Sequence, residues 1–323
     1  MLRIGYLRSA SIPVADRKLN RAARGILHDG RPEVRPNRDC PSLGLCLALI
    51  AGRFTLDCMK YAILGAGKMA LALTHGMLRA KLCAAADITA ASRSKSGLQN
   101  FAAATSVRTA ASNAEAVGAA DVVLLCVKPA DGLAALHEAG DVWKGKLLVS
   151  VVTGLKIVKL REAAPGSRVI RAMPNTAAMV GLSATAIARG EKATRADLKT
   201  AEQIFQAVGE VFPVDENQLD AVTGLSGSGP AYIYLVMEAL SDGGVAAGLP
   251  RKLALDLAIQ TVLGAAGMAS STKEHPAVLR EMVTSPGGTT IAALGVLEKA
   301  AVRSAFIDAV KAAAKRAKEL SGE

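Results

Sequence analysis

Aromatic residues make up only 3% of this chain of 323 residues, too few to interleave with its many arginines. The net charge of +11 would suit a nucleic-acid partner. Proteins that bind single-stranded nucleic acid, however, commonly combine basic residues with aromatic side chains on which the bases stack. A mildly basic surface suits small anions equally well. We therefore expect a small-molecule partner and no nucleic acid.

Patterns typical of metal sites and disulfide frameworks are also missing. The five cysteines and four histidines form no Cys-x-x-Cys pair and no metal-ligand spacing. No pair of carboxylates stands at a spacing that indicates hydrolysis. We predict no metal site and a reducing compartment, the cytoplasm, with Cys126 as a small apolar filler at the end of a buried strand.

Long hydrophobic runs are scarce. The longest uncharged apolar stretches, such as residues 43–52, are shorter than the roughly 20 residues that a membrane-spanning helix needs. We therefore expect no association with a membrane. At 51% hydrophobic residues, the chain is long enough for two domains with cores of their own.

The first 58 residues show no sustained helical or strand period before Phe54 and carry 10 Lys and Arg against 5 Asp and Glu. Their apolar run begins only at Leu43, too late for a secretory signal. We interpret residues 1–58 as an extension outside the fold. An over-extended start, with the working protein beginning at Met59, is favoured, and a disordered tail or a targeting segment stays open.

A glycine-rich turn follows Met59. After a short apolar run the chain continues with Gly65, Ala66, Gly67, Lys68, Met69 and Ala70, and then with a helix-forming stretch. Gly65 permits a tight turn, Gly67 lets the backbone approach a pyrophosphate, and Ala70 keeps the helix close to the strand. The N–H groups at the start of that helix would face the phosphates, so the turn predicts a dinucleotide-binding site.

Further apolar strands alternate with helical stretches after this turn. We predict strands over residues 87–92, 106–109, 121–127, 147–152 and 168–172. Repeated strand and helix units indicate an α/β fold with a Rossmann-like, doubly wound parallel sheet. We assign this domain to residues 59–215.

The end of the second predicted strand indicates which dinucleotide binds. An enzyme that prefers NAD usually has an acidic residue there, about 20 residues beyond the glycines. This chain has Ser92, Arg93 and Ser94 instead, and a guanidinium can pair with a 2′-phosphate. We predict NADPH as the cofactor, with NADH as an alternative. A solvated loop charge is the other interpretation of Arg93.

Two later loops are expected at the same edge of the sheet, where ligands bind in open α/β sheets. One contains Val127, Lys128 and Pro129, and the other contains Asn175. We predict that both contribute to the cofactor site. The alternative is that each is an ordinary loop that connects a strand to a helix.

Helical periodicity dominates from Asn217 onward, with predicted breaks at residues 224–230, 248–250, 275–276 and 285–288. The stretches 231–240 and 253–266 are apolar on nearly all sides of the predicted helices. This is more apolar surface than a small domain can bury by itself. We predict an all-helical dimerisation and substrate domain over residues 216–323 and a homodimer.

A second anion site is predicted at a helix start in this domain. Ser285 and the backbone amides of Gly287, Gly288, Thr289 and Thr290 precede a helix that runs to Lys299. The partial positive charge of a helix N-terminus stabilises an anion. Two glycines and two threonines in succession exceed what an ordinary cap requires, so we favour a carboxylate site.

Taken together, these motifs resemble pyrroline-5-carboxylate reductases. The resemblance covers residues 59 to about 321, and it is carried by the glycine turn, by Val-Lys-Pro at residues 127–129, and by the segments 173–176, 224–232, 242–244 and 285–290. Ala177 stands where that family commonly has proline, and the first 58 residues have no counterpart.

The resemblance implies NAD(P)H-dependent reduction of L-1-pyrroline-5-carboxylate to L-proline, the last step of proline biosynthesis, by a dimer that is often assembled into a ring of dimers. It implies that Ser285 and the amides of Gly288 and Thr289 hold the substrate carboxylate, with Thr290 as the catalytic hydroxyl at the ring nitrogen.

Two other functions share part of these motifs. A β-hydroxyacid dehydrogenase would share the spacing of Gly224, Gly227 and Gly229, but its catalytic lysine position is Ile233 here, which leaves alcohol oxidation without a proton-transfer group. A nucleotide sensor or scaffold would need the cofactor turn but no second anion site, and the intact segment 285–290 argues against it.

Overall fold

Eight strands form one sheet in the computed structural model, which describes residues 59–322. The interpretation of residues 1–58 as an extension lies outside the described residues. The strands are β1 (Tyr61–Leu64), β2 (Ile88–Ala91), β3 (Arg108–Thr109), β4 (Val122–Leu125), β5 (Leu147–Ser150), β6 (Arg168–Met173), β7 (Ser183–Arg189) and β8 (Gly209–Pro213). Their order is β3-β2-β1-β4-β5-β6-β7-β8, so the chain reverses its direction of winding between β1 and β4.

The predicted doubly wound sheet is confirmed, but it is not parallel throughout. Strands β1 to β6 pair in parallel, but β7 pairs antiparallel with β6. The segment between β6 and β7 spans only residues 174–182, and a parallel connection needs a crossover of a dozen or more residues. Strand β8 then runs parallel to β7.

Helices cover both faces of the sheet. They are α1 (Lys68–Arg79), α2 (Lys95–Thr105), α3 (Asn113–Gly118), α4 (Gly132–Glu138), α5 (Ile157–Ala163) and α6 (Arg195–Gln206). Side chains of β1 alternate between two cores: Ile63 packs in the cluster of Phe205, and Leu64 packs in the cluster of Trp143. Burial on both faces explains why this strand is apolar throughout.

Six helices follow the sheet. They are α7 (Leu219–Val222), α8 (Gly229–Ala246), α9 (Arg251–Thr272), α10 (Pro276–Met282), α11 (Thr289–Lys299) and α12 (Val302–Leu320). Three of the predicted breaks, at residues 248–250, 275–276 and 285–288, are confirmed. The break predicted at residues 224–230 is wrong, because a π-helical turn over Thr223–Gly227 carries the chain from α7 towards α8.

Helix α9 extends beyond both ends of the predicted apolar stretch 253–266. Its 22 residues are long enough to cross a membrane, and an 18-residue window has a mean hydropathy of 1.4. Only Ala254 and Ala258 of this helix are buried within the chain. The rest of its surface therefore needs a cover, which a subunit interface or a lipid phase could each supply.

Candidate active site

The glycine turn lies at the switch point of the sheet, where β1 is flanked by β2 and β4. Gly65 has φ +104°, a conformation that side chains other than glycine rarely adopt, and a Cβ there would lie 2.7 Å from the carbonyl oxygen of Cys126. The N–H of Gly65 donates to the carbonyl of Ala91 at 2.8 Å, and the N–H of Cys126 donates to that of Leu64 at 2.8 Å. These bonds fix the ends of three strands around the turn.

Gly67 is the N-cap of α1 and faces open space. A Cβ built on it would meet no atom within 4 Å, and no side chain caps the helix. The first turn of α1 contains no acidic residue, and Ala70 is fully buried beneath it. Uncapped N–H groups beside a bare backbone fit a pyrophosphate.

A cavity of about 410 Å³ opens at this turn. Eight of the residues predicted to bind the cofactor line it: Gly65, Ala66, Gly67, Ser92, Arg93, Ser94, Val127 and Lys128. Four others do not: Lys68, Met69, Pro129 and Asn175. The cavity thus joins the loops that follow β1, β2 and β4.

Asn175 lies outside the cavity and forms hydrogen bonds to two other segments of the chain. Its Oδ1 accepts from the N–H of Ala177 at 3.1 Å, and its Nδ2 donates to the carbonyl of Ser226 at 3.1 Å. Its own N–H donates to the Ser183 hydroxyl at 3.1 Å. The side chain therefore ties the loop after β6 to the π-helical turn of the helical half, rather than lining the cavity.

The loop after β2 lies at one end of the cavity. The hydroxyl of Ser94 caps α2 by accepting from the N–H of Gly97 at 3.1 Å. Arg93 is largely exposed, and its guanidinium pairs with the carboxylate of Asp131, a residue of the loop after β4. An acidic group is thus present beside Arg93, and it comes from the loop after β4 rather than from the end of β2.

Asn113 and Glu138 also line the cavity, although neither is among the predicted site residues. Asn113 is buried at the start of α3, and its Nδ2 donates to the carbonyl of Ala135 and to Oε2 of Glu138, each at 3.1 Å. Both residues line the cavity and an adjoining one of about 500 Å³. A Ser-Asn pair after the third strand was the available signal, but nothing in the sequence linked it to α4.

Cys126 is buried at the end of β4, and burial raises its pKa to about 12. Its thiol is therefore protonated at neutral pH and does not act as a nucleophile. This agrees with its interpretation as a small apolar filler. Among residues 59–322, no group of three or more His, Cys, Asp and Glu side chains could hold a metal ion.

The predicted anion site lies at the start of α11. Gly287 has φ +68°, and Gly288 is the N-cap, with no side chain capping the helix. A Cβ at Gly288 would lie 2.4 Å from the hydroxyl oxygen of Ser285, so this hydroxyl rests directly over the cap. Thr290 is half-buried, while Ser285, Gly287 and Thr289 are exposed. None of these residues lines the cavity at the glycine turn.

The sheet, its uncapped glycine turn and the appended helices define a class of protein, a dinucleotide-binding oxidoreductase with a helical domain. A family model described as "NADP oxidoreductase coenzyme F420-dependent" matches residues 60–154, and one described as "Pyrroline-5-carboxylate reductase dimerisation" matches residues 216–320. Pyrroline-5-carboxylate reductase of Arabidopsis thaliana is 47% identical over 266 residues, which are 82% of this chain and 96% of that relative. The chain belongs to the pyrroline-5-carboxylate reductase family.

More distant organisms give the same result. The enzyme of that name from Methanosarcina acetivorans is 44% identical over 82% of this chain and 99% of its own length. The solved structure of a pyrroline-5-carboxylate reductase from Coxiella burnetii matches with a TM-score of 0.77 and 38% identity, over 82% of this chain and 99% of that one. The Plasmodium falciparum structure, which has NADP bound, matches with a TM-score of 0.75 and 31% identity, over 81% and 98%.

Membership of this family explains the apolar surface of α9. The helix lies within the residues matched by the dimerisation family, which supports a subunit interface over its exposed apolar side chains. The match to the dimerisation family confirms the prediction that the protein is a homo-oligomer.

Proposed function

We propose that this protein reduces L-1-pyrroline-5-carboxylate to L-proline, with NADPH as the preferred reductant and NADH as the alternative. The observation that carries the proposal is a pair of helices, α1 and α11, that each begin with a glycine as N-cap, at Gly67 and Gly288, in a chain of this family. The start of α1 faces an open cavity beside Arg93, and the start of α11 carries the Ser285 hydroxyl over its cap. The first suits a pyrophosphate and the second a carboxylate.

The residues of the second site would orient the ring of the substrate. Ser285 and the amides of Gly288 and Thr289 hold the carboxylate, and the Thr290 hydroxyl bonds the ring nitrogen. A cyclic imine is strongly electrophilic at carbon once its nitrogen is protonated, so the protein needs no covalent nucleophile. A bound reduced nicotinamide supplies the hydride. Holding the ring at two ends presents one face and gives a single stereochemical product.

The organisation of the molecule is part of the proposal. We assign residues 59–215 to cofactor binding and residues 216–323 to dimerisation and substrate binding. Since the Ser285 segment is largely exposed and lines no part of the cofactor cavity, we infer that dimer formation completes the substrate site. Dimers would assemble further, for example into a ring, and the enzyme would act in the cytoplasm.

A paired assay tests the reaction. One preparation is given NADPH and pyrroline-5-carboxylate, and then NAD and 3-hydroxyisobutyrate. We expect cofactor oxidation with the imine and no turnover of the hydroxyacid, because Ile233 occupies the position where a dehydrogenase needs a lysine. Turnover of the hydroxyacid alone would overturn the proposal, and binding of NADPH without either reaction would favour a sensor.

Thr290→Ala tests the hydroxyl at the ring nitrogen. We expect kcat to fall by about two- to tenfold with little change in KM, because one hydrogen bond contributes about 0.5–1.5 kcal/mol. Thr290→Ser keeps the hydroxyl and should retain most of the rate. Steady-state kinetics of both variants measure this, and an unchanged kcat for Thr290→Ala would rule out the role.

A further inference from the structure

An ion pair spans the mouth of the cofactor cavity. Arg93 Nη2 lies 2.5 Å from Asp131 Oδ1, with the two side chains 69% and 29% exposed. The first residue follows β2, and the second ends the turn Pro129–Asp131 after β4. The guanidinium expected to hold a 2′-phosphate is therefore already partnered by a carboxylate of the same cavity.

The side chain of Asp131 does not cap the helix that it precedes. Asp131 is the N-cap of α4, where an aspartate usually accepts from a helical N–H, but its side chain makes no capping bond. Its backbone is held instead, since its N–H donates to the carbonyl of Lys128 at 2.9 Å. The other carboxylate of the cavity, Glu138, accepts from Asn113. Asp131 is thus the acidic group directed at Arg93.

We propose that Asp131 sets the selectivity between NADPH and NADH by competing with the 2′-phosphate for Arg93. A phosphate bound to this guanidinium would share one cation with the carboxylate and be repelled by it. NADH carries an uncharged hydroxyl at that position and meets no such repulsion. This inference rests on the proposed function, and it makes Asp131 a specificity-determining residue that weakens NADPH binding selectively.

Direct binding measurements test it. Fluorescence titration gives the Kd of NADPH and of NADH for the wild type and for Asp131→Asn. We expect the Kd of NADPH to fall about three- to fivefold, the size typical of an exposed charge pair, and that of NADH to change less. The difference should shrink at about 0.5 M salt, because salt screens exposed charges. The control Asp141→Asn removes an exposed carboxylate that does not line the cavity and should leave both values unchanged.

A double-mutant cycle shows whether Asp131 acts through Arg93. In an Arg93→Gln background only the direct repulsion between carboxylate and phosphate remains, so Asp131→Asn should strengthen NADPH binding by a clearly smaller factor than it does in the wild type. An effect of the same size in that background would overturn the proposal, as would equal changes for both dinucleotides or weaker NADPH binding in Asp131→Asn.

These titrations need no imine substrate, so two failures can be told apart. A wild-type protein that binds neither dinucleotide would contradict the proposed function itself. A protein that binds both and reduces the imine, but whose ratio of Kd values does not respond to Asp131→Asn, would contradict this inference alone.

Discussion

At the scale of single residues, Gly65 and Gly67 have separable roles. Gly65→Ala forces an alanine into a positive φ, which costs about 1–2 kcal/mol, and places its Cβ 2.7 Å from the Cys126 carbonyl. Gly67→Ala meets no protein atom within 4 Å, so its Cβ enters only the space assigned to the pyrophosphate. We expect Gly65→Ala to lower both the Tm and NADPH affinity, and Gly67→Ala to lower affinity alone.

Thermal unfolding without cofactor and NADPH titration measure the two effects. A Gly67→Ala protein with wild-type affinity would contradict the placement of the pyrophosphate at the start of α1. A Gly65→Ala protein with an unchanged Tm would contradict the strain at the turn.

Asp197 gives stability that depends on pH. Burial raises its pKa, but hydrogen bonds from the backbone and hydroxyl of Thr194 and from the Arg168 guanidinium outweigh this and hold the pKa below its ordinary value of 3.8. A carboxyl with a lowered pKa stabilises the fold above its unfolded pKa, and this stability is lost as the pH falls through the folded pKa.

We therefore expect Asp197→Asn to be less stable than the wild type at pH 7 and to approach it as the pH falls below 3.8. Denaturant unfolding across this range measures the gap. Glu210→Gln removes an exposed carboxylate and should show a small gap throughout. A gap for Asp197→Asn that is the same at pH 7 and in acid would contradict the expectation.

Residue types at the site could be predicted from sequence more readily than the pairs that they form. The glycine turn and Arg93 follow from local spacing, since conformation and charge at those positions are local requirements. The partnership of Arg93 with Asp131 depends on how far apart two loops lie, and that of Asn113 with Glu138 depends on the packing of α3 and α4. Neither distance is encoded in a motif.

At the scale of elements, a buried ion cluster joins β6 to α7. Arg171 is only 4% exposed, and its Nη1 lies 3.2 Å from Oε1 of Glu216, which also accepts from the N–H of Ile157 at 2.6 Å. Its Nη2 lies 3.7 Å from Oδ1 of Asp220. The cluster therefore fixes the start of the helical half against the sheet.

Arg171→Met should lower the free energy of unfolding by about 3–5 kcal/mol, because it removes the buried cation that pairs with both Glu216 and Asp220. The matched control is Arg161→Met, whose partner Glu191 is 84% exposed, and its cost should stay below about 1 kcal/mol. Denaturant unfolding of both variants measures the difference, and equal costs would show that the Arg171 cluster adds nothing beyond a surface pair.

Some strands of the sheet can be predicted from the sequence pattern alone, and others cannot. Strands β1 and β4 are apolar on both faces, and β5 is apolar up to its last residue, Ser150, so their apolar runs identify them as buried strands. Strand β7 reads Ser-Ala-Thr-Ala-Ile-Ala-Arg, with few residues that favour strands, and it forms because β6 and β8 pair with it. Such pairing is a tertiary effect, which explains why β7 and β8 were not predicted.

At the scale of the whole molecule, a single chain leaves much of the apolar surface of its helical half exposed. Exposed side chains of α8 and α9 include Tyr234, Leu235, Leu257 and Leu263. An excess of apolar surface over what one domain can bury is readable from sequence, and it led to the predicted homodimer. Which face of the helix forms the interface cannot be predicted from sequence. A helix that is apolar on all sides has no polar face to mark the side that stays in water.

The geometry of α9 selects a residue that tests this interface. Leu263 follows the buried Ala254 by nine residues, which places it about 180° around the helix, opposite the face that packs within the chain. It is 52% exposed in the single chain. In a dimer that covers this face, Leu263→Glu would bury an unpaired carboxylate.

We expect Leu263→Glu to shift the protein towards monomers and to lose activity as the dimer is lost, because we propose that dimer formation completes the substrate site. Val158→Glu is the matched control, since Val158 is also 52% exposed but lies on α5 beside the sheet. It should remain dimeric and active. Sedimentation velocity at several concentrations, with activity measured on the same samples, gives both readouts. A Leu263→Glu protein that stays dimeric would place the interface on another face of α9, and an active monomer would show that one chain builds the whole site.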